Sequence, residues 1–349
     1  MRTRNILAAV ATIALLTSCT TDDNTPNAGS FPADGIIRVA TNVTESPFQG
    51  GRANVTRAGM TDDNIKEFIL KIENLSTDPE AAEKYSYYAA MQGSNANGWE
   101  SYGFDADGKP TIDFTMLWQN STQPVKVTAV RAGEFVSEEY FDQASRYGVF
   151  TSQNLDGYIE LSDYLYMPTT TIYPNKTGGN DGLTADGKLP INFVHIMSKV
   201  NLTVTLATEF NVAPGTTTNP ITALTVNGTK QWVNFNPSTG TTTDYNDPGN
   251  TPITPWHNAP AYTAGDATTT KAVAHYEVIL APQTVAAGEF IIAFTINGKK
   301  YEWTATADVT LVSGKQHELK LTVGKDIVTG SDITAEPWEP GMGGDKETE

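Results

Sequence analysis

The stretch EFIIAFTINGKKYEWTA, Glu289 to Ala305, decides the fold. Phe290, Ile292, Phe294 and Ile296 fall at every second position, which puts four large apolar side chains on one face of a strand. Asn297-Gly298 then supplies the pair of residues that most readily forms a two-residue hairpin turn, and Tyr301 and Trp303 resume the alternation. The same period appears in KVNLTVTL, where Val200, Leu202, Val204 and Leu206 alternate with Asn201, Thr203 and Thr205. Similar runs occur at Phe68-Leu70-Ile72, from Val125 to Val130, at Leu224-Val226 before Asn227-Gly228, and at Leu319-Leu321-Val323.

Helix signals are few and short. DPEAAEKYSYYAAM offers Asp78 as N-cap and Pro79 at the first helical position, and SEEYFDQAS predicts one or two turns. The chain therefore reads as all-β with short helical insertions, arranged as sandwiches between Gly, Asn and Pro turns. PNKTGGNDGLTADGK, Pro174 to Lys188, is the richest glycine and polar segment in mid-chain, and it predicts a domain boundary. An internal echo, ADGKPTIDF at Ala106 to Phe114 and ADGKLPINF at Ala185 to Phe193, fits either two related halves or one turn used twice.

The amino terminus carries a different message. Arg2 and Arg4 precede the apolar run Ile6 to Leu16, and small residues lead to Cys19, the single cysteine of the chain. The order of charge, apolar core and small residues is that of a secretory signal, and the run is shorter than the roughly 20 residues a bilayer requires. A lone thiol can form no internal disulfide and has no second cysteine to share a metal. Leu-Thr-Ser-Cys resembles the bacterial lipobox, which implies lipid attached at Cys19 and an outer-membrane location, with Asp22, Asp23 and the polar residues to Ser30 as a tether.

The net charge of -17 over 349 residues, without a basic stripe, excludes nucleic acid and anionic lipid surfaces as partners. GLTADGKL lacks the Ser or Thr that a phosphate loop needs after its lysine, since Leu189 stands there. FDADGKP has Lys109 at the fifth position of a would-be calcium loop and Met116 at the twelfth, where carboxylates belong. His195, His257, His275 and His317 lack ligand spacing. No catalytic residue, metal ligand or cofactor is assigned. Trp99, Trp118 and Trp256 leave open a sugar-stacking platform on a non-polymerising surface lipoprotein.

Five segments in order resemble the fimbrillin family, the type V pilus subunits and related surface lipoproteins of Bacteroidota. They are SDYLYMP (Ser162 to Pro168), INFVHIMSKVNLTVTL (Ile191 to Leu206), EVILAPQTVAAGEFIIAFTINGKKY (Glu277 to Tyr301), SGKQHELKLTV (Ser313 to Val323) and DITAEPWEPG (Asp332 to Gly341). The resemblance implies two tandem transthyretin-like Greek-key β-sandwiches and no enzymatic activity. The expected division is a signal peptide over residues 1–19, a tether over 20–34, sandwiches over 35–180 and 181–340, and an acidic tail over 341–349. It further implies a surface pilus for adhesion, assembled when an Arg-specific protease removes the lipid anchor and first strand and another subunit's strand fills the groove. Other pilus subunits, membrane lipid, the protease and a host protein or glycan receptor are the implied partners; the alternative is a lipid-anchored accessory, anchor or glycan-binding protein that does not polymerise.

On these residues, GIIRVATNV (Gly35 to Val43) is the candidate first strand, with Ile37, Val39 and Val43 on one face. The loop after it holds Arg57, the preferred cut point, and Arg52, the second. Burial of those three side chains predicts about 5 to 9 kcal/mol held by the strand. Lys325 to Trp338, with Ile327, Ile333 and Trp338, is either a donated strand or the closing strand of its own domain. Phe193 and His195 differ in parity from Val200 and Leu202, which predicts a bulge near Ser198 and a buried, hydrogen-bonding His195.

Overall fold

The computed structural model describes residues 31–43, 60–61, 63–131, 141, 144–210, 218–246, 251–257, 262–265 and 271–337. Among these the chain is nearly all β. The predicted hairpin forms as Ile291–Ile296 against Lys299–Thr304, with Ile296 opposite Lys299. Asn297 and Gly298 take φ of 49° and 82°, the paired left-handed conformation that a two-residue turn demands. Phe290, Ile292, Phe294 and Ile296 are all buried.

One sheet contains, in spatial order, Val39–Val43, Leu189–His195, Leu165–Thr177, Val125–Arg131, Glu67–Asn74, Tyr87–Ser94, Gly98–Phe104 and Pro110–Asp113, with Gly182–Leu183 beside Leu165–Thr177. A second is built on Ser198–Leu206, flanked by Ala272–Leu280 antiparallel and Lys315–Val323 parallel. Each sheet has a core. Ile37, Val39, Phe68, Leu70, Trp118, Leu189, Ile191 and Phe193 belong to the first; Val200, Leu202, Val204, Phe290, Ile292 and Leu319 belong to the second. Ile69 and Val130 point from the first sheet into the second core, so strands Glu67–Asn74 and Val125–Arg131 are apolar on both faces.

Several local expectations need revision. The strand Leu165–Thr177 runs into the glycine-rich segment, and Leu189–His195 joins the first sheet, so strand pairing crosses the expected boundary at residues 180 and 181. No bulge at Ser198 reconciles the two parities. Instead the chain leaves the first sheet after His195, passes Ile196 and Met197, both buried, and enters the second sheet at Ser198. The helix starting at Asp78 stops at Lys84, and Tyr87–Ser94 is a strand. Asp78 caps it as expected, accepting the Glu80 N–H at 3.1 Å. Most of SEEYFDQAS lies outside the described residues, and Ser145 already begins a strand. A short helix at Tyr158–Ser162 has no counterpart in the sequence reading.

The ADGK echo proves to be one turn built twice. Asp105 and Thr184 each accept the N–H of the residue three positions on from their carbonyls (3.0 and 2.9 Å) and donate their own N–H to the lysine carbonyl (2.9 Å in both). Their side chains accept the N–H groups of Lys109 and Lys188, both at 2.9 Å. The Asp105 carboxylate also accepts from the Asp107 N–H and the Thr111 hydroxyl, so the loop itself occupies the oxygens a cation would need.

Among the described residues, three side-chain carboxamides each grip both backbone polar groups of a single distant residue. Gln153 donates to the Ile279 carbonyl (2.7 Å) and accepts its N–H (2.8 Å). Gln283, from the Pro282-Gln283 pair, does the same for Lys230 at 2.9 and 2.7 Å. Asn95 does it for Thr41. A carboxamide thus acts as a one-residue strand where a sheet edge has no neighbour. Gln153 is fully buried. Gln153→Ala is expected to cost about 2 to 3 kcal/mol, because it strands a buried donor and acceptor together; urea unfolding of the two proteins measures it.

Candidate functional site

The first strand is an edge strand held from both sides. It begins at a local clasp: Asp34 accepts the Ile36 N–H at 3.1 Å and both guanidinium nitrogens of Arg38, at 3.1 and 2.6 Å. The Arg38 hydrogen bond lowers the Asp34 pKa to about 2, so the clasp remains ionised throughout the ordinary pH range. From Val39 to Val43 the strand runs parallel to Leu189–His195, with Val39 opposite Leu189 and Val43 opposite Phe193. The Leu189 N–H donates to the Arg38 carbonyl at 2.7 Å.

On the other side, the Ile37 N–H donates to the Met116 carbonyl (2.9 Å) and the Trp118 N–H to the Gly35 carbonyl (2.8 Å). Further along, Asn95 takes over as neighbour: the Thr41 N–H donates to Oδ1 at 2.8 Å, and Nδ2 donates to the Thr41 carbonyl at 2.7 Å. Inward, Ile37 and Val39 are 5 % exposed and Val43 is half-buried. The burial of this face over Phe68, Trp99 and Phe193 comes from strict alternation, Ile37, Val39, Thr41 and Val43 all having one parity. Phe68 meets Trp99 and Phe193 edge-on, with ring centroids 4.9 and 5.3 Å away. Withdrawal of Gly35–Val43 would open a groove with two backbone rails and an apolar floor.

Met60 is anchored to Asp163. Its N–H donates to Asp163 Oδ2 at 2.7 Å, while Asp163 Oδ1 lies 2.8 Å from His195 Nδ1. Asp163 is fully buried and His195 is buried. The Arg131 guanidinium donates to the carbonyls of Asp163 (3.1 Å) and Glu160 (2.9 Å). Burial pushes the Arg131 pKa below its ordinary value, and the Asp163 charge opposes that shift. His195 thus has the buried hydrogen-bonding role that its strand position predicts, with its partner supplied by the residue after helix Tyr158–Ser162.

Arg52 and Arg57 lie outside the described residues, between the fixed points Val43 and Met60; Cys19 and Trp338 lie outside them too. Lys325 to Trp338 pairs with its own second sheet: Val328–Gly330 lies against Leu321–Val323, and Thr334–Pro337 against Lys315–Glu318. Ile327 is 64 % exposed, and Ile333 is half-buried against the second core. Of the three tryptophans, Trp118 is buried in the first core, Trp99 packs against it and Trp256 packs against the second. Asn95, Met116 to Trp118 and Asp163 carry no signal in the sequence for these roles, since each acts on a residue distant along the chain.

A family model described as fimbrillin-like matches residues 52–338. None of the curated proteins matches the chain. Among solved structures, a candidate cell adhesion protein from Bacteroides ovatus is 14% identical and aligns with a TM-score of 0.54 over 87% of this chain and 98% of its own, which shows a shared fold. A second candidate cell adhesion protein, from Bacteroides uniformis, is 16% identical with a TM-score of 0.46, over 88% of this chain and 100% of its own. The fimbrial anchor protein Mfa2 from Porphyromonas gingivalis is 10% identical with a TM-score of 0.36, over 87% of this chain and 97% of its own.

Proposed function

Because the chain belongs to the fimbrillin-like family, we propose that it is a subunit of a cell-surface fimbria that serves adhesion and is assembled by strand exchange. Lipid on Cys19 delivers it to the outer membrane. An Arg-specific protease cuts after Arg57, with Arg52 as the second site, and Gly35 to Val43 leaves with the anchor. An extended segment of another subunit then enters the groove between Leu189–His195 and Asn95 with Met116 to Trp118.

The observation that supports this reading is the construction of the first strand. It sits at a sheet edge, its apolar face fills the first core, and both arginines lie in the sequence between it and the rest of the chain that follows. Its neighbour in the sheet comes from far along the chain, so departure breaks no hairpin. Lys325 to Trp338 is the candidate donor: it pairs through its backbone yet places no fully buried side chain between Val328 and Ile333.

Mass spectrometry of the mature amino terminus on cells tests the proposal. A start at Ala58, together with SDS-resistant ladders after Arg-specific proteolysis of purified protein, is the expected result. A lipidated Cys19 retained on every molecule, without ladders, replaces polymerisation with an anchor role.

A further inference from the structure

Thr41 is 5 % exposed on the inward face of the first strand, and its hydroxyl oxygen is buried with no hydrogen-bond partner among the described residues. Trp99 Nε1–H donates to the same Asn95 Oδ1 that accepts the Thr41 N–H, at 3.2 Å. We propose that Asn95, oriented by Trp99, reads the direction of the strand in this groove. The site accepts an extended protein segment only when it runs parallel to Leu189–His195, and it favours Val or Ile over Thr at the gripped position.

The polarity argument is one of donors and acceptors. The carboxamide presents one acceptor and one donor to one residue's N–H and C=O, so it senses main chain and tolerates any side chain other than proline's. A strand of opposite direction exchanges the places of N–H and C=O. Asn95 could match it only by turning its amide over, which would set Nδ2–H against Trp99 Nε1–H, two donors face to face. Trp99 is not free to retreat, because its ring lies edge-on to Phe68 in the first core.

The preference at the gripped position follows from burial. The neighbours of Thr41 on that face, Val39 and Val43, are core or core-packed residues, and the floor is aromatic. A buried hydroxyl without a partner loses its hydration and gains nothing, whereas Val has nearly the same shape and no such loss. The resident strand is therefore imperfectly matched at this residue, and a β-branched aliphatic there would compete successfully with it.

The identity of the occupant as a replacing strand rests on the proposed exchange, whereas the clamp and the mismatch are properties of the resident strand, so the experiment has separate arms. In the full chain, Thr41→Val is expected to raise Tm by about 2 °C; an unchanged or lower Tm overturns the mismatch. Asn95→Ala is expected to speed hydrogen exchange at the Thr41 amide by about tenfold or more, and an unchanged rate overturns the clamp. In the third arm, full chain treated with an Arg-specific protease is offered the peptide GIIRVATNV carrying a photo-crosslinker at its first or at its last residue. Crosslinking from the last residue is expected at the Phe193 end of Leu189–His195, about tenfold over the Leu189 end, with Trp99→Phe bringing the two together. Equal crosslinking of that residue to both ends in the unsubstituted protein overturns the polarity. Uptake of neither peptide, with the Asn95→Ala effect present, overturns the exchange reading and leaves the clamp established on the resident strand.

Discussion

A chain that begins at Ala58 is expected to be less stable than the full chain by about 3 to 6 kcal/mol, and to bind an apolar dye that the full chain ignores. The figure counts Ile37 and Val39 alone at about 1.5 to 3 kcal/mol each, since both are almost wholly buried and Val43 is only half-buried. It is smaller than the sequence-based 5 to 9 kcal/mol for that reason. The truncation also takes from the Leu189 N–H, the Met116 carbonyl and Asn95 Nδ2 the partners described above, and leaves Asn95 Oδ1 with Trp99 Nε1–H, although water can reach an opened edge. Denaturant unfolding and dye fluorescence of the two chains, side by side, check both parts. A truncated chain of full stability that binds no dye would mean that the first strand contributes nothing to its sheet.

Asp163→Ala is expected to cost about 3 to 5 kcal/mol, the range for removing one partner from a buried polar network. Asp163 ties the backbone at Met60 to His195 at the end of the strand next to the first strand, and its own carbonyl receives Arg131. Its loss takes the acceptor from the Met60 N–H and the carboxylate from His195 Nδ1, and removes a negative charge near the half-buried Arg131. His195→Gln, which keeps a polar group near Asp163, is expected to cost less than half as much. Thermal unfolding of both variants decides it: equal effects would place the network's importance in His195 instead.

Local patterns made much of the all-β fold legible. Alternation in KVNLTVTL and around Asn297-Gly298 reports which side chains share a face, and the structure places those faces in the second core. The same alternation gives no information on which sheet a strand enters. For that reason Phe193 and Val200 suggested one bulged strand where the chain in fact changes sheets between His195 and Ser198. The glycine-rich segment from Pro174 suggested a boundary, yet it belongs to a turn within the first sheet. The groove was half-legible. Ile37 and Val39 announce a buried face, while Asn95 in GSNANG looks like any turn asparagine. Its grip on Thr41 spans 54 residues, a separation that no local pattern encodes. Asp163 is hidden likewise, as a carboxylate at the head of a strand whose partners lie 32 and 103 residues away.

The parallel pairing of Val39 with Leu189 also sets an order in time. The first strand stands 150 positions ahead of its partner, so pairing the two closes a long loop. Its contacts are among the most non-local in the chain, so they carry the largest loop-closure entropy and form late in folding. Hairpins such as Glu67–Asn74 with Tyr87–Ser94 close far sooner. The folding chain can therefore assemble most of the first sheet before this edge is filled, and the vacancy that removal of the strand would open resembles a stage of that folding.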